Sequence, residues 1–305
     1  MGAGPKSTYV ISITPFTADG RLDESGFRAH LRRLAAAGIG VYVGGGGSGE
    51  GYTLDGAETR RVLEIAVEEL KGVVPVRSMG TEPRTAQELV AYIRLAASIG
   101  VDATQVYSLD VGHGHQPTMA EIETYFTDIL EPVTVMGVPA ILSTHQSVGY
   151  RIPIDMIARL VERFGLIGVN CSHGDPGYLV HLIDAVGDRT EIHVGGPIQG
   201  LSALALGAEG FLTSEGNLAP RLCASVVDLF EKGDLPGTFD AFAKVVRLFD
   251  LLYGNGGIRA TKAVLNHYGL AGGYPRKPQL PVGDDVATAI AAAIDAMGIP
   301  AIEGW

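Results

Sequence analysis

Short apolar runs rich in β-branched residues alternate along the chain with longer stretches whose apolar positions recur every three or four residues. The short runs lie at 9–13, 40–43, 74–78, 103–108, 139–142, 167–169, 191–194 and 210–213, and they read as strands. Helical periodicity fills the intervals 24–37, 55–70, 86–99, 119–133, 153–164, 177–186 and 198–206, and a further helix at 220–231 follows the last strand. Eight strands, each followed by a helix, are the arithmetic of an α/β fold of the (β/α)8 TIM-barrel type, closed by right-handed crossovers. A doubly wound open sheet is the alternative, although it rarely has eight such regular units. From residue 233 the strands stop, and helices are expected at 238–253, 258–268 and 284–296. The predicted plan is a barrel over 1–232 and a C-terminal helical appendage over 233–305.

Gly44-Gly-Gly-Gly-Ser-Gly-Glu50 follows the second strand and precedes a helix opened by Asp55 and Glu58 at capping-box spacing. Glycines there let several backbone N–H groups converge, forming an anion nest that needs no basic side chain. Gly44, Gly46 and Gly49 match G-x-G-x-x-G, but four consecutive glycines make that match almost automatic. The dinucleotide fingerprint also wants an acidic residue ending a second strand about 20 residues on, where this chain is helical by period. A P-loop would place a lysine where Glu50 stands.

Composition narrows the function classes. The 305 residues are 46% hydrophobic and 19% charged, enough for a large core. A net charge of −11 argues against nucleic-acid and anionic-membrane partners. Two cysteines, Cys171 and Cys223, cannot build a disulfide framework. No apolar signal core or run of 18 apolar residues is seen, so a cytoplasmic location is expected. In barrel enzymes the chemistry sits after the strands, which directs attention to Thr14 and Pro15, Gly44 to Glu50, Asp110 to His115, Ser143 to His145, Asn170 to Asp175, Gly195 to Pro197 and Ser214 to Asn217.

With these positions in view, the chain resembles the family of dihydrodipicolinate synthase and N-acetylneuraminate lyase, the pyruvate-dependent class I aldolase barrels. The likeness rests on Ile13-Thr-Pro-Phe16 with Asp19-Gly20, on Gly46-Gly-Ser-Gly-Glu50 before Thr53-Leu54, and on Gly207-Ala-Glu-Gly210 with Asn217. In the tail it rests on Lys262-Ala-Val-Leu265, Gly269-Leu270, Gly272-Gly273 and Arg276. The resemblance implies a lyase whose glycine loop holds an α-keto-acid carboxylate, here through Gly47, Ser48 and Gly49, and a homotetramer or homodimer. Ser143 and Gly195 complete the expected substrate-binding set.

The departures change the expected mechanism. The family's Schiff-base lysine ends the sixth strand, and this chain reads Ile167-Gly-Val-Asn170-Cys-Ser-His-Gly-Asp175 there. An amide cannot form an imine. Ser143-Thr-His-Gln-Ser-Val-Gly149 also lacks the family's tyrosine and arginine. Histidines fall in the same loops: His113, His115, His145 and His173. Acid–base catalysis by His145 or His173, with Asn170 orienting a substrate oxygen, is one reading. A divalent metal at His113, His115 and neighbours is another, and no cofactor is assigned. The expected function is a lyase of aldolase, retro-aldolase or hydratase type acting on a small oxo acid or other carboxylate without a lysine imine. The alternative is a catalytically degenerate barrel that binds a ligand or regulates a partner. Glu50 and Cys171 are expected to be structural, and Asp175 to cap the sixth helix.

Overall fold

The computed structural model describes residues 4–112, 114, 116–144 and 148–305. Its strands are β1 (Ser7–Ile11), β2 (Gly40–Val43), β3 (Val76–Ser78), β4 (Ala103–Val106), β5 (Ala140–Thr144), β6 (Gly168–Cys171), β7 (Glu191–Gly195) and β8 (Gly210–Thr213). They close in sequence order into a barrel, a (β/α)8 TIM barrel, in which β1 pairs parallel with β2 and β3 to β7 pair parallel in order. The helices that follow them are α1 (Glu24–Ala36), α2 (Gly56–Leu70), α3 (Ala86–Ile99), α4 (Met119–Met136), α5 (Ile154–Phe164), α6 (Pro176–Val186), α7 (Gly200–Leu206) and α8 (Pro220–Glu231). The C-terminal helices are α9 (Leu235–Gly254), α10 (Ile258–His267), α11 (Asp284–Ala296) and α12 (Ile299–Glu303). The short α12 was not expected from periodicity.

Local chemistry starts the helices where the sequence places caps. Asp55 and Glu58 form a reciprocal capping box at α2, and Thr118 with Glu121 does the same at α4. Asp175 accepts from the Gly177 and Tyr178 amides at the start of α6. Gly137 ends α4 in the left-handed conformation that glycine adopts without strain.

Contacts group the chain into two compact units. One holds residues 4–6 and Arg77–Phe211, and so contains strands β4 to β7. The other joins Ser7–Val76 to Leu212–Trp305, so the C-terminal helices belong with β1 and β2. In this second unit Asn217, after β8, is a polar staple. Its Oδ1 accepts from the Ile13 amide at 2.9 Å and lies 3.0 Å from Nε2 of the buried His30. Its Nδ2 donates to the carbonyls of Ile11 and Ser214.

Two strand ends differ from the sequence reading in a way that matters. β5 runs on through Ser143 and Thr144, and β6 through Asn170 and Cys171, so Ser143 and Asn170 belong to strands rather than loops. Polar residues end an apolar run in a sequence, but they can continue a strand whose side chains face other polar groups inside a barrel.

Candidate active site

The glycine loop sits at the carboxyl end of β2 and folds tightly on itself. The Glu50 amide donates to the Gly47 carbonyl and the Gly51 amide to that of Gly45, both at 3.0 Å. A Cβ on Gly49 would lie 2.8 Å from the Gly45 carbonyl oxygen, so only glycine fits there without displacing backbone. The amides of residues 46–49 donate to no acceptor among the described residues, while Gly47 is exposed and Ser48 half-buried. A run of amides left open at a strand end is an anion cradle.

Glu50 closes the loop in the left-handed region, at φ +50°, the one non-glycine residue there among those described. Burial holds it in place. Glu50 and Lys262 of α10 are both fully buried and paired with each other. The Lys262 ammonium also donates to the Thr14 carbonyl at 2.8 Å and that of Tyr274 at 3.0 Å. The second Glu50 oxygen accepts from the Arg276 amide at 3.0 Å. Burial pulls the Lys262 ammonium below its usual range, and the Glu50 charge opposes that shift. Glu50 is thus a structural anchor that fixes the loop's end to the C-terminal helices.

A cavity of about 590 Å³ opens beside the loop, lined by Gly47 and Ser48, by Ser214 and Glu215 after β8, and by Arg259 and Thr261 on α10. Glu215 is buried, and its two oxygens accept from the Thr213 and Ser214 hydroxyls at 2.7 and 2.5 Å. Asn170, His173, Ser143 and Gly195 do not line this cavity.

Those residues lie in the other unit, around a polar barrel interior. Asn170 Nδ2 donates to Gln105 Oε1 at 2.6 Å, although β4 and β6 are separated by β5. Side chains from non-adjacent strands can meet only across the interior, so both point inward. Ser143 and His193 pair laterally with Asn170 in register and share its face, whereas Cys171 alternates outward. Arg77 of β3 pairs with Glu191 of β7 at 2.9 Å, again across the interior. His193 is buried, and burial together with the Arg77 and Lys6 charges lowers its pKa to about 3, keeping the imidazole neutral.

His173 lies just past β6, buried, with its ring edge-on to Tyr178 at 5.1 Å between centroids. Gly195 ends β7, where a Cβ would come within 2.7 Å of the Ser172 hydroxyl. The catalytic candidate His145 and the metal candidates His113 and His115 lie outside the described residues. Among the described residues no three His, Cys, Asp or Glu side chains gather as metal ligands.

The sequence-level family model for the dihydrodipicolinate synthetase family matches residues 5–297. The chain belongs to that family. Among its curated relatives, the 4-hydroxy-tetrahydrodipicolinate synthase of Methanospirillum hungatei is 29% identical over 87% of this chain and 90% of its own. That of Methanopyrus kandleri is 27% identical over 98% of both chains. The solved dihydrodipicolinate synthase of Bacillus anthracis shares the fold at a TM-score of 0.87, with 21% identity over 96% of this chain and 98% of that one. The family is one of synthases and lyases, so membership supports an aldolase-type lyase on a carboxylate substrate. No helix among the described residues is long and apolar enough to cross a membrane.

Gln105, His193 and Arg259 are residues of these two regions that the sequence reading did not single out. The available signal was a polar residue inside an apolar strand run, as with Gln105 in β4 and His193 in β7. Glu215 falls in the loop after the eighth strand already picked out by position, whereas Arg259 carried no comparable signal.

Proposed function

We propose that the protein is a lyase of aldolase, retro-aldolase or hydratase type that acts on a small oxo acid or other carboxylate without a lysine imine. The observation that carries this reading is that none of the eight barrel strands contains a lysine, and β6 presents Asn170 to the interior instead. Lys262 is committed to Glu50, and Lys6 donates to the carbonyls of Gly207 and Ala208. The open amides of residues 46–49 and the Ser48 hydroxyl suit the substrate carboxylate. On sequence grounds, from its place at the end of the sixth strand, Asn170 would orient a carbonyl or hydroxyl oxygen of the substrate, and Gln105 holds its amide rotation. His173 would carry the proton, with His145 the second candidate on sequence grounds.

Incubation with pyruvate and borohydride tests the mechanism. The intact mass is expected to stay that of the untreated protein, because no imine is there to reduce. A carboxyethyl-lysine, the reduced imine, mapped by peptide mass spectrometry to any of the six lysines would sink the proposal. Turnover of a panel of α-keto aldols, lost in His173→Ala, supports the lyase; binding without turnover across the panel favours a ligand-binding barrel.

A further inference from the structure

The cavity beside the glycine loop is larger than a three-carbon acid requires. Pockets of roughly 300–1,000 Å³ hold drug-sized ligands, and this one measures about 590 Å³. Its lining includes both Gly47 and Ser48 of the loop and Arg259 in the first turn of α10. Arg259 is half-buried and forms no ion pair with any described residue; its Nε donates to the Gly256 carbonyl at a long 3.3 Å. A guanidinium held against a cavity wall with its fork uncommitted is matched in shape and charge to a carboxylate. The acidic side chain on the same wall, Glu215, is buried and has both oxygens taken by hydroxyls. Among the described lining residues, Arg259 is therefore the charged group not already engaged by a strong partner.

We infer that this cavity takes the far end of an extended α-keto dicarboxylate, with one carboxylate in the glycine loop and the second on Arg259. The inference rests on the carboxylate role proposed above for residues 46–49, and it adds the substrate class: a diacid rather than a pyruvate-sized monoacid. Hydroxyls of Ser48, Ser214 and Thr261 along the same lining suit polar substituents on the intervening carbons.

Calorimetric titration of the full chain tests it. α-Ketoglutarate, α-ketoadipate and α-ketopimelate are each compared with the monoacid of equal chain length: α-ketovalerate, α-ketocaproate and α-ketoenanthate. At least one diacid is expected to bind about tenfold more tightly than its monoacid, equivalent to about 1.4 kcal/mol. Arg259→Gln should erase that preference, leave the monoacid's affinity within about twofold, and keep the urea midpoint, since the side chain is only half-buried. Equal binding of diacid and monoacid at every length overturns the inference, as does a preference that survives Arg259→Gln. Gly49→Ala separates this from the reading beneath it, because it should weaken monoacids and diacids alike. Monoacid binding untouched by Gly49→Ala removes the loop's carboxylate role, and no binding of any keto acid to the unaltered protein overturns both.

Discussion

Lys262→Met is expected to destabilise the protein by about 3–5 kcal/mol, the cost of removing one partner from a buried ion pair. The substitution is close in volume, so the loss is one of charge and hydrogen bonds rather than packing. It strands the Glu50 carboxylate in the interior and leaves the Thr14 and Tyr274 carbonyls without their shared donor. It also removes the cation that sits 4.8 Å above the Phe16 ring, on which Arg276 stacks at 4.1 Å. Urea unfolding measures the change. Adding Glu50→Gln to Lys262→Met should recover part of the loss, because a neutral amide costs less to bury than an unpaired carboxylate. A single variant within about 1 kcal/mol of the parent would show that the pair does not hold the loop. Since Glu50 ends the glycine loop, the same variant should also weaken keto-acid binding.

Acidification offers the second large effect. His30 and His193 are fully buried, and both have pKa values lowered from 6.5 to about 3. For His30 the causes are burial first and then the Arg33 charge, opposed by the hydrogen bond to Asn217. Each stays neutral in the folded state while the unfolded chain takes up a proton below its ordinary pKa. The unfolded state then binds more protons, and stability must fall as pH drops. The stabilisation is complete above about pH 6.5 and is lost progressively towards pH 3. Between about pH 7.5 and 5 the loss is on the order of 2 kcal/mol per histidine. The paired carboxylates Glu24, Glu58 and Glu69 have pKa values lowered from 4.5, so their own contribution begins only at lower pH. Urea midpoints across that window, in the parent and in His193→Gln and His30→Gln, isolate each share. A slope unchanged in both variants would mean that these imidazoles are not the groups responsible.

Much of the architecture was readable because a barrel's strands are short and buried, and its helices show one apolar face each. The hydrophobic pattern places β2 and β8 at their observed bounds, and the other strands differ by one or two residues at one or both ends. The misplaced ends share a cause at Ser143, Thr144, Asn170 and Cys171. Periodicity equates polarity with exposure, yet these residues are all buried in the strands. The glycine loop stood out because its composition is conspicuous and its chemistry local. The cavity did not, because Ser48, Ser214 and Arg259 are brought together by contacts that no short-range pattern encodes. The same holds for Arg77 with Glu191, which lie 114 positions apart.

The division of contacts has a consequence for how the chain reaches its native state. The unit containing β4 to β7 is almost continuous in sequence, whereas the other needs both ends of the chain. Ile13 meets Asn217 across 204 positions, and Thr14 meets Lys262 across 248. Contacts of such separation carry a large loop-closure cost and form late. During synthesis β1, β2 and the helix between them emerge before the rest of the barrel and meet these C-terminal partners last. They spend that interval with apolar faces uncovered, the state in which aggregation competes with folding.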